Sequence, residues 1–227
     1  MSFPELFADD VFHIETARLW LRWPRAADAR ALQQIAGIAA IAEMTATWPH
    51  PLPENEADWR ILRAREANAA GTALVLAITR KKSPDQLIGT LGVRQLPVSD
   101  GGNGALGLGY MLAEAHHGRG LMTEAVIGLA GAVFTSTGYR LIRASSLSVN
   151  PASRRVLEKS GFEHTGTSML DAPARGGMVE VDDFELSHSV WLGRMTRTRG
   201  QRESGSRAPT RAGSHATSDG ATDAAAA

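Results

Sequence analysis

The chain has 227 residues, 43% hydrophobic and 21% charged, which is the composition of an ordinary folded domain with a sizeable core. Lys and Arg number 24 and Asp and Glu number 24, so the zero net charge argues against a nucleic-acid or membrane-surface footprint. The absence of cysteine excludes disulfides, a thiol nucleophile and thiolate metal sites, and fits a reducing compartment.

The first ten residues lack the basic and apolar regions of a signal peptide, and no run approaches the roughly 18 apolar residues of a membrane helix. A cytoplasmic protein is expected. Residues 18–23 alternate apolar and polar and predict a strand. Asp28 is a candidate cap for a helix running to about Ile41. Trp48-Pro-His-Pro-Leu-Pro53 reads as a stiff loop, because each proline fixes φ and biases its predecessor to extended geometry. A helix follows from 55 or 56 to about 68, then a strand over 73–79, a turn over 80–85 and a strand over 87–95. The glycine-rich stretch 99–104 predicts a second turn and 105–112 a third strand. Residues 121–137 are helical, with Met122, Val126, Leu129 and Val133 on one face. A strand over 141–149, a helix over 151–160 and strands near 162–170 and 179–191 complete an α+β, mixed-sheet pattern rather than a regular βαβ repeat.

Composition then changes. Residues 194–227 hold no Val, Ile, Leu, Phe, Trp or Tyr, and carry six Arg against Glu203, Asp219 and Asp223, a net +3 that leaves 1–193 at −3. Such a segment cannot bury enough surface to offset its ordering entropy. The reading is a folded domain over 1–193 and a disordered Arg/Ser/Gly/Ala-rich tail over 194–227.

Two segments carry chemistry. The first is His116-His-Gly-Arg-Gly-Leu-Met-Thr-Glu124, between a predicted strand and an amphipathic helix. Glycines permit positive φ and close backbone approach, and the free N–H groups of a helix's first turn attract anions, so a phosphate is the natural ligand. No P-loop sequence exists, and the dinucleotide fingerprint fails because Thr123 stands where its third glycine belongs. The second segment runs from Asn150 to Phe162. Asn150 suits an N-cap, Pro151 the first helical position and Gly161 the left-handed position past the helix end. It also places an amide and the Ser153 hydroxyl at the end of a strand, where open α/β sheets bind ligands.

Together these segments resemble the GCN5-related N-acetyltransferases, and within them the RimJ/RimL-type ribosomal-protein N-terminal acetyltransferases. The resemblance covers about residues 14–191. It is carried in order by Ile14-Glu-Thr-Ala-Arg-Leu-Trp-Leu-Arg22, Trp48-Pro-His-Pro-Leu52, Leu87-Ile-Gly-Thr-Leu-Gly92, Gly109-Tyr-Met-Leu112, Gly118-Arg-Gly-Leu-Met-Thr-Glu-Ala125, the 150–162 segment and Asp183-Phe-Glu-Leu186. The resemblance implies a mixed, mostly antiparallel sheet flanked by helices, with a V-shaped splay between its two middle strands, and acetyl-CoA as cosubstrate. The loop His117, Gly118, Arg119, Gly120, Leu121, Met122 and Thr123 would hold the pyrophosphate. Tyr110, Met111 and Leu112 would pair with the pantetheine like an added strand, helped by a bulge at Gly107 and Gly109. Asn150 and Ser153 would contact the same arm. Ala115 departs from the broader family's Gln or Arg three residues before the first loop glycine.

For the reaction, the resemblance implies Ser153, the serine of Asn-x-x-Ser, as partner of the departing thiolate, with Tyr110 a second catalytic candidate and a backbone N–H near Met111–Leu112 polarising the thioester. Glu43, His50, Glu114, His116 and His117 are candidate bases by position alone, beside water. The resemblance implies that Ile41–Leu52 and Asp171–Glu180 line the acceptor pocket, with Glu43 and Trp48 contacting the acceptor and Glu43 or Asp171 attracting its amine. No His pair shows metal-ligand spacing, so no metal is expected. The expected acceptor is a primary amine, either a protein N-terminus or a small molecule such as an antibiotic. A catalytically silent CoA-binding module is the alternative from another class. Neither a membrane nor a specific nucleic acid is an expected partner, and the protein is expected to be a monomer or homodimer.

Overall fold

A computed structural model describes residues 3, 4, 7, 9–97 and 104–205, with side chains through 196. Its strands are β1 (His13–Glu15), β2 (Leu19–Arg22), β3 (Ala73–Arg80), β4 (Ser83–Gln95), β5 (Leu106–Leu112), β6 (Leu141–Leu147), β7 (Glu163–Ala172) and β8 (Gly177–Ser187). Its helices are α1 (Ala29–Ala36), α2 (Ala39–Ala42), α3 (Glu56–Ala69), α4 (Leu121–Ser136), α5 (Pro151–Ser160) and α6 (His188–Gly205). The strands form one sheet in the order β1-β2-β3-β4-β5-β6-β8-β7. Every neighbouring pair is antiparallel except β5 and β6, which run parallel.

Side-chain alternation assigns the two faces. One face, with Leu91, Val93, Leu106, Ile142 and Phe184, packs under α4 and α5 in the larger core. The other, with Ala77, Leu87 and Met111, packs against Leu32, Ile35, Ile41, Ala57 and Ile61 of α1, α2 and α3. The α4 periodicity is observed as expected: Met122, Val126, Leu129 and Val133 are all buried.

Several boundaries differ from the sequence reading. The helix expected from 28 to 41 breaks at Gly37 into α1 and α2. Asp28 does not cap α1 with its side chain. It is instead 2% exposed and forms a two-point ion pair with Arg22, Nη1–Oδ2 at 2.8 Å and Nη2–Oδ1 at 2.9 Å, and it also accepts the Arg25 N–H. A buried guanidinium needs such a partner more than a helix end needs a cap. β4 begins at Ser83, so the turn after β3 is shorter than 80–85. The last strand ends at Ser187 rather than Trp191, because α6 starts at His188 and packs Trp191 against Phe134 at 5.5 Å between ring centres. The α6 backbone continues as helix across position 194 to Gly205. The turn expected at 99–104 and the rest of the tail lie almost wholly outside the described residues.

Candidate active site

The site begins where β5 and β6 stop pairing. Their register runs from Leu106 opposite Ile142 to Leu108 opposite Ala144 and goes no further, although both strands continue. The expected splay is therefore present. Its cause differs from the expected bulge: the β4–β5 register is continuous through Gly107 and Gly109, and the gap opens on the β6 side alone.

That regular ladder decides which backbone groups face the gap. The N–H of Ala113 donates to Ile88 O and that of Leu96 to Ala105 O, so the odd-numbered residues of β5 bond to β4. The even-numbered Tyr110 and Leu112 turn their N–H and C=O groups toward the opening. Met111, expected beside them, turns its own toward β4. The His117 ring closes the end of this edge, with Nε2 2.8 Å from Leu112 O.

The gap continues into the loop before α4. Gly118 and Gly120 have φ of +70° and +69°, a left-handed conformation that strains any residue with a β-carbon. A Cβ on Gly118 would meet no atom within 4 Å, so open space lies above this backbone. The first helical bond of α4 is Glu124 N–H to Gly120 O at 3.1 Å, which leaves the N–H groups of Leu121, Met122 and Thr123 without intrahelical acceptors. Leu121 and Met122 anchor this turn by burying their side chains. Arg18 latches the loop from β2's end: its Nε lies 2.6 Å from Glu124 Oε2 and its Nη1 donates to Arg119 O at 3.0 Å. Burial pulls the Glu124 carboxyl up, but hydrogen bonds from Thr16 and Arg18, with the Arg18 charge, outweigh it and hold the group below the usual range. Beside the loop, burial and then the Arg119, Arg80 and His117 charges push His116 down.

Across the gap, α5 presents Ser153. Asn150 Oδ1 accepts the Ser153 N–H at 3.0 Å and so fixes this turn, as its N-cap position leads one to expect. Ser153 Oγ lies 2.9 Å from the Tyr110 hydroxyl, which also donates to Ser153 O at 3.2 Å. Burial pushes the Tyr110 phenol up to about 12 against the lowering effect of the Ser153 bond, so it is a protonated donor at neutral pH. Asn150 is bound at both ends, since its Nδ2 donates to Met44 O at 3.4 Å.

Tyr110, Met111, Asn150 and Ser153 line one cavity of about 490 Å³ at the splay, with Tyr110, Ser153 and Leu157 at one end and Met44–Trp48, Met111 and Leu170 at the other, whereas Leu112 and the 117–123 loop are not part of its lining. Trp48 lines it, held by Arg60 stacked 4.0 Å from its ring centre and by Arg175, which donates to its carbonyl. Glu43, Asp171, His50, Glu114, His116 and His117 are not part of this lining. Ser145, Arg94 and Arg143 are, and sequence reasoning missed all three, because only strand register brings them together. Among the described residues no group of three or more His, Cys, Asp or Glu side chains is placed to hold a metal.

Comparison with known proteins agrees with this geometry. A sequence profile described as an acetyltransferase (GNAT) domain matches residues 18–163. The probable N-acetyltransferase YjcK of Bacillus subtilis strain 168 is 37% identical over 97 residues, 41% of this chain and 51% of that protein. The chain thus spans about half the length of that curated relative. Among solved structures, RimJ of Mycobacterium smegmatis in complex with CoA-disulfide superposes with a TM-score of 0.67 at 18% identity, covering 83% of this chain and 95% of that one. The microcin C7 self-immunity acetyltransferase MccE, solved with acetyl-CoA and AMP, superposes with a TM-score of 0.64 at 17% identity over 75% and 93% of the two chains. At these identities both likenesses show the fold.

Proposed function

The chain belongs to the GNAT acetyltransferase family, and from that premise we propose that it is an acetyl-CoA-dependent N-acetyltransferase acting on a primary amine. The observation that carries the reading is the β5 edge left unpaired by β6 beyond Leu108, followed in the chain by the left-handed Gly118 and Gly120 before α4. The first turn of α4 suits a pyrophosphate, and the open edge suits the amides of a pantetheine arm. Acetyl-CoA supplies an acetyl group activated as a thioester.

The amine nitrogen attacks the thioester carbonyl, the C–N bond forms, the C–S bond breaks and its electron pair leaves on sulfur. The Leu112 N–H faces the gap and is placed to polarise the carbonyl. The Tyr110–Ser153 hydroxyl pair donates the proton that the thiolate takes, the nitrogen's surplus proton leaves to solvent, and solvent returns one to the pair. The high phenol pKa keeps that donor loaded across the neutral range. The acceptor is read as a protein N-terminus, in keeping with the RimJ likeness, or a small amine. The catalytic domain is read as residues 1–193, in a cytoplasmic protein.

A thermal-shift titration tests the reading, because a ligand of the native state must raise the melting temperature. A saturable rise with acetyl-CoA, and none with ATP or NAD, is expected. No rise with acetyl-CoA would remove the cosubstrate.

A further inference from the structure

The acceptor side of the cavity carries a charge pattern set by strand register. On the face toward α1–α3, Arg94 of β4 aligns with Gly107 of β5, Gly107 with Arg143 of β6, and Arg143 with Glu185 of β8. Two residues along, Gly92 aligns with Gly109, and Ser145 with Asp183. Gly109 and Ser145 each directly follow the last β5–β6 pair, Leu108 and Ala144, so they stand at the base of the splay. A Cβ on Gly109 would meet no atom within 4 Å, which leaves room there for a reacting group.

The two rungs differ in charge. In the first, Arg143 Nε is neutralised by Glu185 Oε1 at 2.8 Å, whereas Arg94 has no ion-pair partner among the described residues. One positive charge is left over, with the Leu96 side chain lying over Gly107 between the two arginines. In the second, Ser145 Oγ donates to Asp183 Oδ1 at 2.7 Å. That bond uses the hydroxyl's proton and leaves its lone pairs for an N–H donor, with a carboxylate behind it. Arg94, Arg143 and Ser145 line the cavity, and no Asp or Glu among the described residues does.

We propose that the acceptor is a primary amine carrying an anionic group, its N–H taken by Ser145 and its anion by Arg94 with Arg143. This rests on the acetyl-transfer reading above. Ser145 and Arg143 are successive same-face positions of β6, about 7 Å apart, and Arg94 stands on the Arg143 rung two strands away, so nitrogen and anion are separated by that distance or somewhat more. An N-terminal residue followed by an acidic one has this spacing. A polycationic amine would meet two guanidiniums and no carboxylate on the cavity wall.

The test uses the full chain, acetyl-CoA and three tripeptide amides, Ser-Asp-Ala, Ser-Asn-Ala and Ser-Lys-Ala, with CoA release as the readout. The Asp peptide is expected to exceed the Asn peptide in kcat/KM by roughly tenfold, mostly through KM, and the Lys peptide to be poorest. Arg94→Glu is expected to reverse the order while leaving the acetyl-CoA thermal shift unchanged, a gain on the Lys peptide that a misfolded variant could not show. Equal rates, a preference of the unaltered protein for Lys, or an order that survives Arg94→Glu would overturn the proposal. So would failure to acetylate the Asp peptide by a protein whose melting temperature acetyl-CoA raises. No rise with acetyl-CoA would instead overturn the cosubstrate reading, and the acceptor rule with it.

Discussion

The two halves of the sheet, on either side of the splay, are built differently. On the β1 side, β2 and β3 are covered on both faces, and β3 is buried almost throughout. Beyond the splay, β6 and β8 are covered on the α5 side, while β7 at the sheet edge is exposed along nearly its whole length. The covered half locks the loop before α4 through Arg18 and Glu124. The open half shows polar side chains, Arg143, Ser145 and Asp183, held by exposed pairs. A cosubstrate common to a family needs a preorganised cradle, and an acceptor that differs between members needs a surface whose residues change without unfolding the protein.

The largest effect is expected inside the covered half. Asp28→Ala leaves the 8% exposed Arg22 without its partner and should cost roughly 3–5 kcal/mol in urea unfolding. Arg143→Ala, in the open half, breaks an exposed pair and should cost less than about 1 kcal/mol. Similar losses for the two would end the contrast. In the cradle, Gly120→Glu puts a side chain at φ +69° and a negative charge beside the free α4 N–H groups, so the acetyl-CoA thermal shift should vanish. Glu124→Gln should weaken the same shift more mildly and lower stability by about 2 kcal/mol at neutral pH. The Glu124 carboxyl is held down in the folded state, so its contribution is present above the ordinary carboxylate value and is lost as pH falls through the depressed one. The unaltered protein should lose the difference in acid, and an offset that persists there would show that the charge is not responsible.

At the splay itself, Ser153→Ala and Tyr110→Phe should lower kcat by roughly a hundredfold with little change in acetyl-CoA affinity, and unchanged turnover would remove the pair from the mechanism. The smallest effect is in alkali. The Tyr110 phenol is raised from 10.0 to about 12, so the unfolded chain ionises first and stability falls as pH rises across that window. Tyr110→Phe should flatten this fall, as measured by melting temperature against pH.

Much of the helical layer over the sheet was legible in the chain. The 3.6-residue period of α4, the glycines before it and the Asn150, Pro151 and Gly161 signals around α5 are local, and each appears where expected. Strand β1 and the Gly37 break escaped notice because three residues of strand and one glycine are weak signals. Tyr110 and Ser153 were nominated separately, but nothing local says that residues 43 positions apart share a 2.9 Å hydrogen bond.

Local patterning therefore determined the elements, the glycine turn before α4 and the absence of thiol chemistry, because capping, positive φ and amphipathic period act over a few residues. The tertiary structure alone decided the strand order, the end of β5–β6 pairing after Leu108 and Ala144, the partner of Asp28, and the rungs that align Arg94 with Arg143 and Ser145 with Asp183. These are pairings between distant segments. A shift of one residue in register would turn each of those side chains to the opposite face, so they follow from how the whole sheet packs and not from any window of the sequence.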